Sequence, residues 1–278
     1  MKLVTIATHS DGYFPYLKKS CERFGADLIV LGWGEKWTGY SFKSMLLQNF
    51  LKELPDDEIV CCIDSFDVIL LRSLEDLEKS FRDFSEMTGA RVVVGYDRAE
   101  NSIVKVLAEF QFGTCHGYPI NAGTYMGYRK ELSQMIDKIY SDPKLDDQKL
   151  LTDYCRTNPN DIYVDSASIF FLTINNPLGK NFYDSKLMSI DKDNRLYYRG
   201  VRPFFAHGNG NTNMNELIQL LGYSISIIEK QQLSTFNKKS KIKKVRWYLR
   251  EFVEQNSCIL FIAFLLIVII VLVRRKQN

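Results

Sequence analysis

The chain has 278 residues, of which 46% are hydrophobic and 25% are charged, and its formal net charge is +3. This length allows one large domain or two small ones, and the composition is that of an ordinary globular protein. The small positive charge is concentrated near the C-terminus, so it gives no reason to expect a nucleic-acid-binding protein.

The six cysteines include no CxxC pair, and two of them, Cys61 and Cys62, are adjacent within an apolar segment. The other four are Cys21, Cys115, Cys155 and Cys258. This distribution predicts small buried hydrophobic side chains rather than a disulfide framework or a zinc site. It therefore favours a reducing compartment.

Strand-like and helix-like segments alternate through the first half of the chain. Strands are predicted at 2–8, 26–31, 59–63 and 91–95, and helices at 13–24, 42–54 and 73–85. This alternation indicates βαβ units and a mostly parallel α/β sheet. In the second half, helices are predicted at 129–140, 147–156 and 213–222, with short strands near 161–164, 168–171 and 203–206.

Residues 59–71 form an apolar run that is interrupted by two carboxylates, Asp64 and Asp67. A run rich in Val, Ile and Cys is typical of a buried central strand. Because burial of an unpaired carboxylate is costly, both aspartates are expected at the end of the strand, facing a cation or a cationic ligand. Hard oxygen ligands there suit Mg²⁺ or Mn²⁺ bound together with substrate phosphates. The alternative is a turn cap at Asp64 and a surface salt bridge at Asp67.

Two glycine-containing loops also carry residues suited to ligand binding. Residues 32–40 (GWGEKWTGY) place Trp37 where its ring can stack on a base or a sugar, or else plug the core. Residues 119–127 (PINAGTYMG) permit close backbone approach, and Asn121 can exchange hydrogen bonds with hydroxyl groups. A plain turn into a strand is the alternative for the second loop.

Two further segments combine polar residues with a predicted helix or strand end. Asp146 and Asp147 precede Gln148 at a helix N-terminus, where capping explains one aspartate, and the pair also suits sugar recognition or catalysis. His207 ends an apolar strand and enters a glycine-rich turn. An imidazole there can complete a carboxylate metal site, and the N–H groups of the turn can bind phosphates, although a lone histidine is more often structural.

In their order along the chain, six motifs resemble the glycosyltransferase domain of the collagen lysyl hydroxylases (the procollagen-lysine dioxygenase family), including its giant-virus relatives. They are TIAT, GEKW, DSFDVI, NAGTYMG, DDQ and HGNG, and they lie within residues 2–213. The resemblance implies a GT-A type fold over residues 1–228, which is a Rossmann-like nucleotide-binding mixed sheet. It also implies a divalent metal, Mn²⁺ or Mg²⁺, and a UDP-sugar donor. Nothing resembles the family's iron-dependent hydroxylase domain, so lysyl hydroxylation is not expected.

The same resemblance implies roles for individual residues. Asp64, Asp67 and His207 would hold the metal. The donor-binding residues would be Thr8, Trp37, Lys43, Asp64, Asn121, Gly208, Asn209 and Gly210. Asp146 and Asp147 would lie beside the transferred sugar as the catalytic carboxylates.

One position departs from the family pattern. The family follows HGNG with a proline, a threonine and a lysine that grips the diphosphate, whereas this chain has Asn211, Thr212 and Asn213. Loss of a charge-assisted contact costs about 1.5–3 kcal/mol, so the change bears on donor affinity or donor identity.

The expected activity is metal-dependent transfer of a hexose, glucose or galactose, from a UDP-sugar to a hydroxyl acceptor. In the family the acceptor is hydroxylysine or galactosyl-hydroxylysine of collagen-like chains, and another protein, a glycan or a lipid is an alternative here. A second hypothesis is a catalytically degenerate, membrane-tethered module that binds glycans or collagen-like protein. A third is a membrane-tethered scaffold.

Residues 258–273 form an uninterrupted apolar stretch that is followed by Arg274, Arg275 and Lys276. A spanning helix needs about 17–25 residues, and flanking residues extend this stretch sufficiently. We therefore predict a basic stem at 229–256, a transmembrane anchor at 257–273 and a short basic tail at 274–278. The stem carries more basic residues than the tail and no signal peptide is recognised, which predicts a tail-anchored protein with its domain in the cytosol. A buried core helix is the alternative.

Overall fold

The computed structural model describes residues 1–99, 102–139, 146–176 and 181–236. Most of the predicted stem, and all of the predicted anchor and basic tail, lie outside the described residues. Within the described ranges, no helix has the length and apolar character needed to cross a membrane.

The described helices match most of the predicted ones to within a few residues. They are α1 (Phe14–Arg23), α2 (Tyr40–Lys52), α3 (Leu74–Thr88), α4 (Ser102–Phe112), α5 (Arg129–Ile139), α6 (Asp147–Thr157) and α7 (Asn215–Leu220). Residues 227–236 are also helical, and a 3-10 turn covers Asn209–Asn211. Local chemistry sets the ends of α3: the Ser73 hydroxyl accepts a hydrogen bond from the Asp76 N–H, and Gly89 ends the helix at a φ of 77°.

Within the described residues, the strands are more numerous than the helices and most of them are shorter. They are β1 (Lys2–Ile6), β2 (Leu28–Leu31), β3 (Ile59–Ile63), β4 (Val68–Leu70), β5 (Val92–Tyr96), β6 (Arg98–Ala99), β7 (Ile120–Tyr128), β8 (Ile162–Asp165), β9 (Phe171–Asn175), β10 (Met188–Ile190), β11 (Leu196–Tyr198) and β12 (Phe205–His207).

The main sheet has six strands in the order β2-β1-β3-β7-β5-β8. The pairs β1–β2, β1–β3 and β5–β8 are parallel, whereas β7 is antiparallel to both of its neighbours. This mixed sheet confirms the α/β class and the Rossmann-like arrangement, but the expectation of a mostly parallel sheet overlooked β7. Every residue of β3 and of β7 is buried, because helices or a second sheet cover both faces.

Successive residues of the central strands enter two different cores. Leu3 and Cys61 pack with α1 and α3 on one face of the sheet, whereas Val4 and Cys62 pack with α2, α5 and α6 on the other. This alternation follows from the period of two along a strand. Helices α1 and α3 therefore lie on one face of the sheet, and helices α2, α5 and α6 lie on the other.

A second sheet has the order β4-β12-β9-β6. In this sheet β12 runs parallel to β9 and antiparallel to β4, which pairs His207 with Val68. The Phe171 and Phe205 rings stack on neighbouring strands with their centroids 5.7 Å apart. The register of this sheet therefore fixes His207 next to the residue that follows Asp67.

Cys115 and Cys155 form a disulfide with their Cα atoms 6.0 Å apart. The interpretation of the cysteines as small buried hydrophobic residues is therefore wrong for these two, and it is confirmed for Cys21, Cys61 and Cys62. No short spacing marks the pair, because the two residues are separated by 40 positions. Since disulfides are typical of oxidising compartments, cysteine usage no longer favours a reducing one.

Replacing Cys115 or Cys155 by alanine is expected to lower the free energy of unfolding by about 2–4 kcal/mol, because the cross-link restricts the unfolded chain. Urea denaturation of the two single variants and the double variant measures this effect. The double variant should be about as stable as either single one, since each change alone already removes the cross-link. Strictly additive losses would contradict the disulfide.

Candidate functional site

Three side chains that were predicted as metal ligands meet between the two sheets. Asp64 follows β3, Asp67 precedes β4 and His207 ends β12. Their candidate ligand atoms all lie within 4.8 Å of one another. His207 Nε2 is 3.3 Å from Asp67 Oδ1 and 3.9 Å from Asp64 Oδ2. Residues from two different sheets thus form one cluster.

The His207 ring lacks the hydrogen bonds that a buried imidazole normally has. The side chain is buried, and among the described residues neither ring nitrogen has a partner in hydrogen-bond geometry. Burial lowers the pKa of His207, but the adjacent Asp67 and Asp64 carboxylates outweigh it and hold the pKa above its usual value. A hard divalent cation would satisfy two carboxylates and one neutral imidazole, so the donor set fits the implied metal.

Strand β7 approaches this cluster closely because Gly123 has no side chain. A Cβ atom at this position would lie 2.4 Å from Asp64 Oδ2 and 2.7 Å from His207 Cε1. The Gly123 carbonyl accepts a hydrogen bond of 2.7 Å from the Asp64 N–H, and the buried Asn121 side chain accepts one of 2.9 Å from the Gly123 N–H. Residues 120–128 are thus a buried strand, as the predicted alternative of a turn into a strand requires, and Gly123 of this strand lies against Asp64 and His207.

A buried lysine connects the cluster to helix α6. Lys43 Nζ lies 3.1 Å from Asp147 Oδ2, and 3.4 Å from both Asp64 Oδ1 and the Ala122 carbonyl oxygen. Burial raises the pKa of Asp147, and the lowering effect of Lys43 does not reverse this. A buried carboxyl group with a raised pKa beside a specific charge partner is typical of functional sites.

The two adjacent aspartates have different environments. Asp146 is the N-cap of α6, and its Oδ1 accepts a hydrogen bond of 2.9 Å from the Gln148 N–H. Asp147 is buried and contacts Lys43. The capping interpretation therefore applies to Asp146, whereas Asp147 belongs to the polar cluster.

The predicted nucleotide-binding residues lie at the end of β1 and in the loop after β2. The Thr8 carbonyl accepts a hydrogen bond of 2.9 Å from the Gly34 N–H, which joins the strand end to the loop. Trp37 is 46% exposed, and its ring meets the Phe42 ring edge-on at 5.9 Å. Trp37 therefore does not plug the core, because nearly half of its surface is exposed.

The turn after β12 is fixed by contacts to the metal-ligand loop. The Gly208 N–H donates a hydrogen bond of 2.8 Å to the Asp67 carbonyl, and Gly210 adopts a φ of 68° that favours glycine. The Asn213 side chain, where the resemblance implies a lysine, is engaged by neighbouring residues. Its side-chain oxygen accepts hydrogen bonds from the Asn215 N–H at 2.9 Å and from the Tyr13 hydroxyl at 3.4 Å.

Sequence reasoning missed two buried polar residues, Asp97 and Asn175. Asp97 lies between β5 and β6 and is hydrogen-bonded to the side chains of Gln148, Asn175 and Asn209. The available signal was an aspartate placed directly after the apolar strand VVVGY. The same pattern had identified Asp64, but the segment after Asp64 continues into the apolar run 68–71, whereas Asp97 is followed by Arg98 and Glu100.

A second group of metal-type side chains is formed by Cys115, His116 and Cys155. Its two sulfur atoms are joined in the disulfide, and His116 Nε2 lies 2.9 Å from the Pro159 carbonyl oxygen. The two cysteines of this group therefore form a cross-link rather than part of a metal site.

Comparison with known proteins relates residues 1–233 to a family model described as "PLOD GT domain". The chain is 25% identical over 240 residues to the "Multifunctional procollagen lysine hydroxylase and glycosyltransferase" of Caenorhabditis elegans, covering 79% of this chain and 32% of that protein. It is 26% identical over 239 residues to the Homo sapiens protein of that description, LH3, covering 76% of this chain and 30% of that protein. It is also 24% identical to protein R699 of Acanthamoeba polyphaga mimivirus, covering 74% and 45% of the two chains.

The chain thus spans about a third of the length of the two animal relatives. Among solved structures, a glycosyltransferase "involved in the glycosylation of the major capsid of PBCV-1" matches with a TM-score of 0.46 and 14% identity, covering 79% of this chain and 99% of that one. The galactosyltransferase LgtC matches with a TM-score of 0.45 and 17% identity, covering 84% and 100%.

If the cluster holds a divalent cation, the Gly123→Ala variant is expected to weaken Mn²⁺ binding at least tenfold, because the added methyl group displaces Asp64 or His207. Titration calorimetry with Mn²⁺ measures this. Met126→Leu, a volume-conserving change on the same strand, serves as the control and should bind Mn²⁺ like the unmodified chain. Unchanged Mn²⁺ affinity in a folded Gly123→Ala protein would argue against this metal centre.

Proposed function

The chain belongs to the glycosyltransferase domains of the procollagen-lysine dioxygenase family, and from this premise we propose that it transfers a hexose from a UDP-sugar to a hydroxyl acceptor. The observation that carries the proposal is one cluster in which Asp64, Asp67 and His207 lie beside the buried Lys43–Asp147 pair. This combination offers a divalent cation site and a partly neutralised carboxylate within one crevice.

In the proposed complex, Asp64, Asp67 and His207 hold Mn²⁺ or Mg²⁺. When bound, such a cation neutralises the negative charge of the departing diphosphate. The N–H groups of Asn209 and Gly210 lie just after His207, where they are suited to bind phosphate oxygens, whereas the Gly208 N–H donates to the Asp67 carbonyl. The exposed Trp37 ring suits stacking on the uracil base.

Asp147 and Asn121 are proposed to act on the sugar. A carboxylate near the anomeric carbon stabilises the positive charge that develops there as the bond to the diphosphate breaks. Lys43 orients Asp147 through a 3.1 Å contact and moderates the effect of burial on its pKa. Asn121 offers a side-chain amide for hydrogen bonds to hydroxyl groups.

The proposed acceptor is a hydroxyl group of a collagen-like protein, by analogy with relatives that are described as procollagen lysine hydroxylases and glycosyltransferases. Hydroxylysine and galactosyl-hydroxylysine both present such a group. A glycan or lipid hydroxyl at a membrane surface has the same chemistry.

A glycan- or collagen-binding module without turnover is the second candidate. The observation that favours it is Asn213, which replaces the lysine of the family pattern and is engaged by Asn215 and Tyr13. Against it stands the buried Lys43, which costs free energy to bury and has no evident purpose in a passive binding surface.

The enzyme proposal is tested by measuring UDP release from UDP-glucose and UDP-galactose by the full-length chain in mild detergent. We expect release that requires Mn²⁺ or Mg²⁺, stops with EDTA and falls at least a hundredfold in Asp67→Ala, because a metal ligand is lost. Asp83→Ala, which changes an exposed aspartate on α3, is the matched control. Mn²⁺-dependent UDP binding without any release would favour the binding module.

We also propose that residues 257–273 attach the domain to a membrane with the domain on the cytosolic side. Basic residues are more numerous between 238 and 250 than after 273, which favours this orientation. The Cys115–Cys155 disulfide is the observation that argues for the opposite side, since disulfides are rare in the cytosol.

Alkaline carbonate extraction of cell membranes should leave the full-length chain in the pellet and release a variant in which Leu265 and Ile269 are replaced by aspartate. In intact vesicles, added protease should digest the domain if it faces the cytosol. Extraction of the unmodified chain would contradict the anchor, and protection of the domain would contradict the orientation.

A further inference from the structure

A buried carboxylate outside the metal cluster connects three segments of the site. Asp97 is 1% exposed and lies where the chain leaves β5 and enters β6. Its Oδ1 accepts a hydrogen bond of 2.9 Å from Asn209 Nδ2. Its Oδ2 accepts hydrogen bonds of 3.1 Å from Asn175 Nδ2 and 3.3 Å from Gln148 Nε2. One carboxylate thus joins α6, β9 and the 3-10 turn.

Asp97 is unusual because amides, and not a cation, surround it. In the described part of the chain, no lysine, arginine or histidine nitrogen lies within 4.0 Å of its carboxylate. Burial of a carboxylate is unfavourable unless hydrogen bonds offset the loss of water. Three amide donors provide this offset, and they must be oriented toward Asp97 to do so.

This orientation determines what the amides present to a ligand. A carboxamide has one donor side and one acceptor side, so an NH₂ group directed at Asp97 leaves the amide oxygen directed elsewhere. Asn175 is 2% exposed, and within the described residues its Oδ1 has no hydrogen-bond partner. Such a buried acceptor is unfavourable until a donor reaches it.

We propose that Asp97 is a positioning residue that fixes Gln148, Asn175 and Asn209 as hydrogen-bond acceptors for the hydroxyl groups of the donor sugar. This inference rests on the proposed function. A hexose offers several hydroxyl donors, and a neutral amide oxygen accepts from them without adding negative charge beside a diphosphate.

The positions of the amides along the chain agree with this role. Gln148 directly follows Asp147, the carboxylate that contacts Lys43. Asn209 lies two residues after His207, within the turn that is expected to face the diphosphate. The Asp97 network therefore borders the region between the metal cluster and the proposed catalytic carboxylate.

The decisive substitution is Asp97→Asn, which keeps the shape of the side chain but has one acceptor oxygen and one NH₂ group. That NH₂ group must face an amide NH₂ group, so at least one amide has to turn or move. With full-length protein and Mn²⁺, we expect kcat/KM for UDP release from the better of UDP-glucose and UDP-galactose to fall 10- to 100-fold. The Kd for UDP itself should change less than about threefold, because UDP lacks the hexose whose hydroxyl groups the amides would bind.

Two further variants sharpen this comparison. Asp97→Glu keeps the carboxylate and should retain more activity than Asp97→Asn. Asp161→Asn is the matched control, because Asp161 is an exposed carboxylate that accepts a 2.9 Å hydrogen bond from Tyr154 on α6. Its kcat/KM and its Kd for UDP should equal those of the unmodified chain.

Unchanged kcat/KM in folded Asp97→Asn protein overturns the inference, and so does a loss of UDP affinity as large as the loss of kcat/KM. If Asp97→Asn does not fold, Asn175→Ala decides by the same two criteria, because it removes one amide and leaves the carboxylate in place. An unmodified chain that neither releases UDP nor binds it with Mn²⁺ overturns the proposed function and this inference together. An active unmodified chain with an unaffected variant overturns the inference alone.

Discussion

The architecture of the site depends on offsetting the repulsion among three carboxylates that the fold brings together. Asp64 and Asp67 come from the loop between β3 and β4, and Asp147 comes from α6. Two like charges about 4 Å apart repel by roughly 4 kcal/mol at an effective dielectric constant of about 20. Lys43 contacts two of these carboxylates and His207 lies beside the third, so α2 and β12 each bring a nitrogen-bearing side chain that offsets this repulsion.

This cluster requires two sheets, and it requires a glycine at the position of β7 that faces Asp64 and His207. A single parallel sheet would place Asp64 at a strand end, but it would not supply the histidine. The register of β12 against β4 supplies it, and Gly123 on the antiparallel β7 leaves the space that Asp64 and His207 occupy. The mixed topology is therefore a condition for the cluster, since β7 must lie beside β3 for its glycine to face these groups.

The site residues that could be predicted from the sequence are those at which a polar side chain interrupts or ends a clear local pattern. Asp64 and His207 both end apolar strands, and Asp147 begins a helix, so their positions follow from local sequence. Asp97 has the same local pattern, but its role depends on three amides that come from distant segments. The disulfide could not be inferred, because a separation of 40 residues carries no spacing signal.

Strand β7 was predicted only as the alternative interpretation of residues 119–127, since its glycine, alanine and asparagine residues lack the propensity of a strand. Burial on both faces and hydrogen bonds to two neighbours hold it extended instead. Tertiary context overrides local preference here, and it does so at the strand that touches the metal cluster. Small residues were needed for the site, and the sheet compensates for their weak propensity.

On the family resemblance, Asn213 stands where a lysine is expected, so one positive charge is missing at this turn. The Asn213 side chain accepts hydrogen bonds from Asn215 and Tyr13, and its carbonyl accepts one of 2.7 Å from the Phe182 N–H, so the residue now joins α1 to α7. Lys43 cannot substitute for the missing charge without cost, because it is already engaged by Asp64 and Asp147. On the proposed function, the charge of the diphosphate is therefore balanced mainly by the cation and by the N–H groups of the turn. The cation and the donor should consequently bind with strong mutual dependence, since each lacks its principal counter-charge without the other.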